Sequence, residues 1–290
     1  MRFSWIDAQK ANHSVPMMCR LLGVSRSGYY AWLSRPESAR SRSNRLLDQD
    51  ILRVHGDVRG AYGSPRMVRA LRKEKVFAGR HRVARAMRRL GLMARRRKRF
   101  VVTTRSDHPH AVAPDRVGRG FWPVAPNVLW ATDITYLRTG EGWLYLAVVL
   151  DLFSRKAIGW SMAARMDADL VLRALDMALL DRKPARGLIH HSDRGSQYAC
   201  GDYVRALTNR GLVPSMSRKG NCWDNAVVES FFASLKAESE ADRGLPTRQD
   251  ARAETFRWLT FYNRTRMHSQ LEYVSPTEFE YAAAKMGLAS

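Results

Sequence analysis

The chain has 290 residues, 45% of them hydrophobic, which allows one large core, or a core with one or two small modules, and excludes a disordered chain. No stretch approaches the roughly 18–20 consecutive apolar residues that cross a bilayer, and the first residues, MRFSWIDAQKANHSV, hold no apolar signal core, so a cytoplasmic protein is expected. Lys plus Arg number 49 against 27 Asp plus Glu, a formal net charge of +22. The excess is uneven: residues 1–120 carry 28 Lys/Arg and 8 Asp/Glu, residues 121–290 carry 21 and 19. An arginine-rich excess in one half points to a polyanion partner; charge alone fits DNA, RNA or a membrane surface. Cys19, Cys200 and Cys222 are odd in number and widely spaced, which suggests free thiols in a reducing compartment.

The N-terminal half reads as helices. Val15, Met18, Leu21 and Leu22 form one amphipathic segment, which the breaker Gly23 ends. Ser25 is a candidate N-cap for a second segment through Tyr29, Tyr30 and Trp32. This is the spacing of a helix-turn-helix, whose second helix would offer Arg26, Ser27 and Tyr30 to a DNA groove; a structural helical hairpin has the same pattern. A further helical region follows, with Ser64 as N-cap and Pro65 in the first turn, then Val68 and Leu71 as an apolar face. Val83, Met87 and Leu90 mark the next helix, which Gly91 ends. Arg95, Arg96, Arg97, Lys98 and Arg99 form a basic run suited to phosphates rather than bases. The expected organisation is a helix-turn-helix segment over 1–40, a second helical DNA-binding domain over 41–100, a linker over 101–126 and a catalytic core with a helical tail over 127–285.

From residue 127 the texture is that of strands: VLWATDITYL, WLYLAVVLDLF and KAIGWSMA, followed by alternating helical and strand segments. That order predicts an α/β mixed sheet covered by helices on both faces. Within it three acids stand out. Asp133 interrupts an apolar strand, a costly place for a carboxylate unless it is paired or binds a metal. Asp193 ends the strand LIHHSD, where such sheets bind ligands. Glu229 opens the helix DNAVVESFFASLK. Thirty-five residues separate Asp193 from Glu229.

The segments WATDITYL, HHSDRGSQY, GNCWDNAVVESFFASLKAE and FYNRTRMHSQLEYVSPTEFE, together with GVSRSGYYAW and GAYGSPR, span nearly the whole chain. In them the sequence resembles the OrfB-type transposases of insertion-sequence family three, relatives of retroviral integrases. The resemblance implies a ribonuclease-H-like core with a five-stranded sheet. It carries the catalytic, metal-binding triad onto Asp133, Asp193 and Glu229, with Lys236 seven residues beyond the glutamate. It further implies Mg²⁺, with Mn²⁺ as substitute, and DNA cleavage followed by strand transfer in a bacterial, nucleoid-associated protein. Double-stranded DNA, both element ends and target, would be the partner, bound by a multimer; frameshift fusion to an upstream reading frame is a family habit. A nuclease of the same fold that does not join, and a catalytically inactive DNA-binding regulator, are the alternatives.

Two divalent ions about 3.5–4 Å apart suit phosphodiester transfer, and hard oxygen ligands suit Mg²⁺. Asp133 is assigned as the bridging ligand, with Asp193 and Glu229 each completing one ion site. Asn225 and Lys236 share the helical face of Glu229 and would meet DNA beside it. Trp223 fits either a base-stacking role or a lid over the core, while Phe231, Phe232 and Leu235 read as core. Of His190 and His191, one is expected inside as a bonded core residue. The roles of Tyr262, Asn263, Arg264, Arg266 and His268 stay open between helix packing and DNA contact.

Overall fold

A computed structural model describes residues 1–95, 112–118, 120–218 and 225–287. Arg96, Arg97, Lys98, Arg99, Cys222 and Trp223 lie outside them. By its contacts the chain divides into Met1–Leu52 and Arg53–Ser290.

The first unit opens with α1 (Arg2–Gln9), α2 (Val15–Leu21) and α3 (Arg26–Leu33). Its core is Ile6, Met18, Cys19 and Tyr29, with Phe3, Val15 and Trp32 packed around them. The turn forms as expected: Gly23 takes φ +63°, open to glycine and strained for other residues, and the Ser25 hydroxyl accepts from the Gly28 N–H at 3.0 Å. Helix α1 had no counterpart in the sequence reading, although Phe3 and Ile6 lie three apart on its inner face. The long helix α4 (Ala39–Asp57) follows, and the division into units falls within it.

In the second unit, α5 (Ser64–Lys73) starts one residue earlier than expected. Gly63, which has no side chain to cap with, is the N-cap, and Ser64 is the first helical residue. The buried face of α5 is Met67, Ala70 and Leu71, with Val68 only half-buried. Helix α6 (Arg80–Arg89) buries Val83, Ala86 and Met87, and Gly91 (φ +68°) follows it as the left-handed stop. Arg59 pairs with Glu254 at 2.5 Å and Lys73 with Glu278 at 2.9 Å. Tyr62, 1% exposed, donates to Thr265 O at 3.2 Å and accepts from Met267 N at 2.8 Å. Tyr62→Phe leaves that buried N–H without its acceptor. It should cost about 1–3 kcal/mol in a denaturant melt, and no loss would mean the hydroxyl is idle.

The sheet has the order β3-β2-β1-β4-β5, where β1 is Leu129–Thr139, β2 Gly142–Asp151, β3 Lys156–Ala163, β4 Ile189–Ser192 and β5 Val213–Met216. The first three strands are antiparallel neighbours, while β1, β4 and β5 run parallel. This is the predicted mixed five-stranded sheet. Strand β2 is buried at every residue from Leu146 to Asp151, so both faces are covered. On one face Ala147 and Val149 pack with α7 (Ala168–Arg182) and α9 (Gly201–Asn209), which follows the short α8 (Ser196–Ala199). Gly159 permits this approach: a Cβ there would run into Ala174 O and the Ala178 backbone of α7. The other face meets α10 (Ala226–Glu238) and α11 (Arg248–Arg264), with Phe231, Trp258 and Tyr262 ring against ring. A 3-10 turn (Ser269–Leu271) and α12 (Pro276–Lys285) complete the tail.

Part of the expected linker is held against this sheet. Arg116 N donates to Ser215 Oγ at 3.0 Å, and the Phe121 ring meets that of His191. Among the described residues no helix is long and apolar enough to cross a membrane.

Candidate active site

The placement of the two aspartates follows from strand register. The parallel β1–β4 ladder pairs Leu129 with Ile189 and Ala131 with His191, an offset of 60 residues that also separates Asp133 from Asp193. Each acid lies two residues past the last paired position, on the same face and at the same level, where β4 ends. Asp133 stands opposite Val148 of β2, on the face that alternates with the α7 side and so looks toward α10. Its Oδ1 accepts from Ile134 N at 2.7 Å, and Asp193 Oδ1 accepts from Gly195 N at 2.9 Å. Gly195 keeps this turn tight: a Cβ there would lie 3.0 Å from Asp193 Oδ1 and 3.1 Å from Gln197 Oε1.

Both aspartates line a cavity of about 500 Å³ walled by Tyr136, Trp143, Tyr145, Met166 and Tyr198. The sequence reading missed this wall. Its signal was the short hairpin, whose register sets Tyr136 beside Tyr145 and brings the Trp143 ring to 5.0 Å from that of Tyr136. Tyr198 is fully enclosed, within 3.2 Å of Thr132 Oγ1, and burial pushes its phenol well above the ordinary range.

Burial raises the Asp133 carboxyl well above its usual value, and the charges of Asp193 and Glu229 push it the same way. Glu229, half-buried on α10, is likewise raised, by burial and then by Asp193. The three acids therefore feel one another. Among the described residues, however, no three His, Cys, Asp or Glu side chains converge closely enough to hold an ion. The close convergence expected of the triad gives way to an aspartate pair sharing one cavity, with Glu229 at electrostatic range. The chemistry of the donors suits a hard divalent cation: all three candidates are carboxylates, their like charges destabilise each other, and among the described residues no Lys or Arg pairs with Asp133 or Glu229.

The expected DNA contacts fare unevenly. Arg26 and Ser27 are exposed on α3, and Tyr30 is 51% exposed. Arg95 is turned inward instead, donating to Glu238 O at 3.2 Å and pairing with Glu240 at 2.7 Å, because these acceptors lie within its reach. Asn225 caps α10 but is buried at 6% exposure, with Oδ1 unpartnered among the described residues, so it is not presented at the surface. Lys236 lies 4.6 Å over the Tyr136 ring, on the cavity side of α10.

Both neighbouring histidines are buried, not one, because β4 is an inner strand covered on both faces. His190 meets Tyr203 Oη at 3.3 Å, and burial lowers its imidazole to about 3. His191 Nδ1 meets Ser215 Oγ at 2.9 Å. The tail residues left open by the sequence prove largely structural. Tyr262 Oη donates to Arg155 O at 3.0 Å, Asn263 pairs with both backbone groups of Ala157, and Arg266 forks onto Glu238 with two bonds of 2.6 Å. His268 Nε2 lies 3.1 Å from Arg266, while Arg264 is exposed.

Comparison with known proteins decides the family. An integrase core domain model matches residues 123–222, a second integrase core domain model matches 210–276, and an HTH-like domain model matches 41–100. The chain is 42% identical over 283 residues to the transposase InsF for insertion sequence IS3A of Escherichia coli, covering 97% of this chain and 98% of that one. The chain belongs to the insertion-sequence family-three transposases. A 31 kDa protein of insertion element IS600 from Shigella sonnei is 43% identical, over 90% of this transposase and 97% of its own length. Among solved structures, the magnesium-bound HTLV-2 integrase catalytic core has a TM-score of 0.44 at 15% identity, covering 54% of this chain and 97% of that one. A simian T-cell lymphotropic virus intasome chain scores 0.48 at 17% identity, with 61% of each chain covered.

Proposed function

We propose that this transposase is a metal-dependent polynucleotidyl transferase in which Asp133, Asp193 and Glu229 hold two divalent cations. The observation that supports the reading is the offset shared by the β1–β4 ladder and the two aspartates, together with a Glu229 carboxylate whose charge reaches Asp133. Cations held there would lower the cost of deprotonating the attacking oxygen and stabilise the departing one. In the first step a water oxygen bonds to phosphorus at the element end, the bond to the 3′-oxygen breaks, and that oxygen takes a proton. In the second step the freed 3′-hydroxyl bonds to phosphorus in target DNA, and the target's own 3′-oxygen leaves. The chain would align these oxygens by seating the strand end against the aromatic wall, with Lys236 of α10 over the Tyr136 ring at its side.

The helical modules, with 41–100 as a DNA-binding domain and 1–40 as a further helix-turn-helix, would grip duplex DNA through the excess of basic residues in the first 120. Arg26 and Ser27 are the contacts we assign on α3, with Arg96, Arg97, Lys98 and Arg99 on phosphates. Joining two element ends requires two bound chains, so a multimer on DNA is part of the reading, as is fusion to an upstream-encoded module. The test is a joining assay with labelled element-end DNA and Mg²⁺. Strand-transfer products from the wild type are the expected result; cleavage without joining would make the protein a nuclease, and neither would make it a binding protein.

A further inference from the structure

Helix α10 has a second face. Its residues Ala226, Val227, Ser230 and Ser234, none of which lines the cavity of the two aspartates, help enclose another cavity of about 350 Å³. The charged groups in its wall are Arg66, Arg155 and Arg266, with His268 beside them, and among the described residues no carboxylate lines it. The first turn of a 13-residue helix forms part of the wall, and the positive end of such a helix favours an anion.

Arg155 makes this more than a basic surface. It sits in the turn between β2 and β3 with φ +61°, and is only 6% exposed. Its Nη2 donates to Phe121 O at 3.0 Å, and its guanidinium stacks 4.3 Å over the Trp122 ring. Its Nη1 is buried and has no hydrogen-bond partner among the described residues. A buried charged donor left unbonded is among the costliest arrangements in a fold, and such groups are retained where something completes them. Asp151 is the carboxylate whose field reaches Arg155, but its two oxygens already accept from Asn127 N at 2.8 Å and Phe153 N at 3.0 Å. Arg266 is committed to Glu238, and Arg66 stands 4.0 Å from the same carboxylate.

We propose that this cavity is a phosphate subsite for the DNA strand, in which Arg155 turns Nη1 out of its enclosed position to donate to a phosphate oxygen at the amino end of α10. The volume holds a phosphate with its adjoining sugar and has no room for a duplex. The catalytic acid and the phosphate anchor would then occupy two faces of one helix, so that strand binding fixes the helix that carries Glu229. The assignment rests on DNA being the substrate; the joining assay tests that separately.

The wild-type full chain tests the site directly. Trp122, 61% exposed and stacked on Arg155, should report anion entry through its fluorescence. Inorganic phosphate added at constant ionic strength should give a saturable emission change that Trp122→Phe removes. Element-end DNA should abolish the phosphate response. Arg155→Gln should lose the response, and the slope of log K for DNA against log salt should shrink by about 0.9, the share of one phosphate contact. Arg155→Lys should retain part of both. No saturable response in the wild type overturns the proposal whatever the variants do. A phosphate response that DNA leaves intact also overturns it, since the site would then take free phosphate alone.

Discussion

Asp133→Asn is expected to abolish cleavage and joining while making the metal-free protein more stable. The two effects have one origin. Asp133 is half-buried beside Asp193 and Glu229, and its carboxyl is raised well above the ordinary range by desolvation first and by those charges second. A carboxyl whose folded pKa exceeds its unfolded value contributes most stability when protonated, below the unfolded pKa, and loses it as pH rises through the folded pKa. Above its unfolded pKa the acid therefore opposes folding, and a neutral isostere relieves it. In a chelator the variant should melt higher, by about 2–4 °C for each kcal/mol relieved, and the gain should shrink at acid pH, where the wild-type acid is itself neutral. Activity should fall by on the order of a thousandfold or more, since several kcal/mol of charge stabilisation at phosphorus depend on the acids. A variant that joins DNA normally would sink the catalytic assignment. One that melts lower in chelator would sink the electrostatic account.

Arg266→Ala should be the most destabilising single change in the tail. Arg266 is 1% exposed and forks onto Glu238 with two bonds of 2.6 Å, with a third contact to Ser234 Oγ at 3.3 Å. Removing it strands a buried carboxylate at the end of α10, which should cost about 3–5 kcal/mol in a denaturant melt. The pair itself is weak evidence of net stabilisation, so Arg266→Met combined with Glu238→Leu should recover most of that loss. If the single variant loses less than about 1 kcal/mol, the carboxylate has found another partner or water, and the bond is not what holds the tail to α10.

The candidate acids were legible because their types contradict their surroundings. An aspartate in an apolar strand, another at a strand end and a glutamate after thirty-five intervening residues are signals that survive without a structure. The mixed sheet was legible for a similar reason, since Val, Ile and aromatic runs broken by short turns fix strands well. What stayed hidden depends on contacts between distant segments. Arg95 reads as part of a phosphate-binding run, and only the fold brings Glu238 and Glu240 to it. Asn225 proves to be the N-cap just outside α10, and periodicity carries no information on how deeply that end of the helix is enclosed. The tail motif had no reading from spacing, because Asn263 bonds the edge of β3 and Arg266 bonds α10, 106 and 28 residues away. The aromatic wall was missed because each ring alone looked like an ordinary strand residue.

Ion binding by these three carboxylates is what the proposed chemistry requires first. Calorimetric titration of Mn²⁺ into the full chain on element-end DNA measures it, with wild type compared against Asp133→Asn, Asp193→Asn and Glu229→Gln. Two ions per chain are predicted for the wild type and fewer for every variant, with Asp133→Asn, the bridging position, losing most. Unchanged stoichiometry and affinity in the Asp133→Asn protein would contradict it.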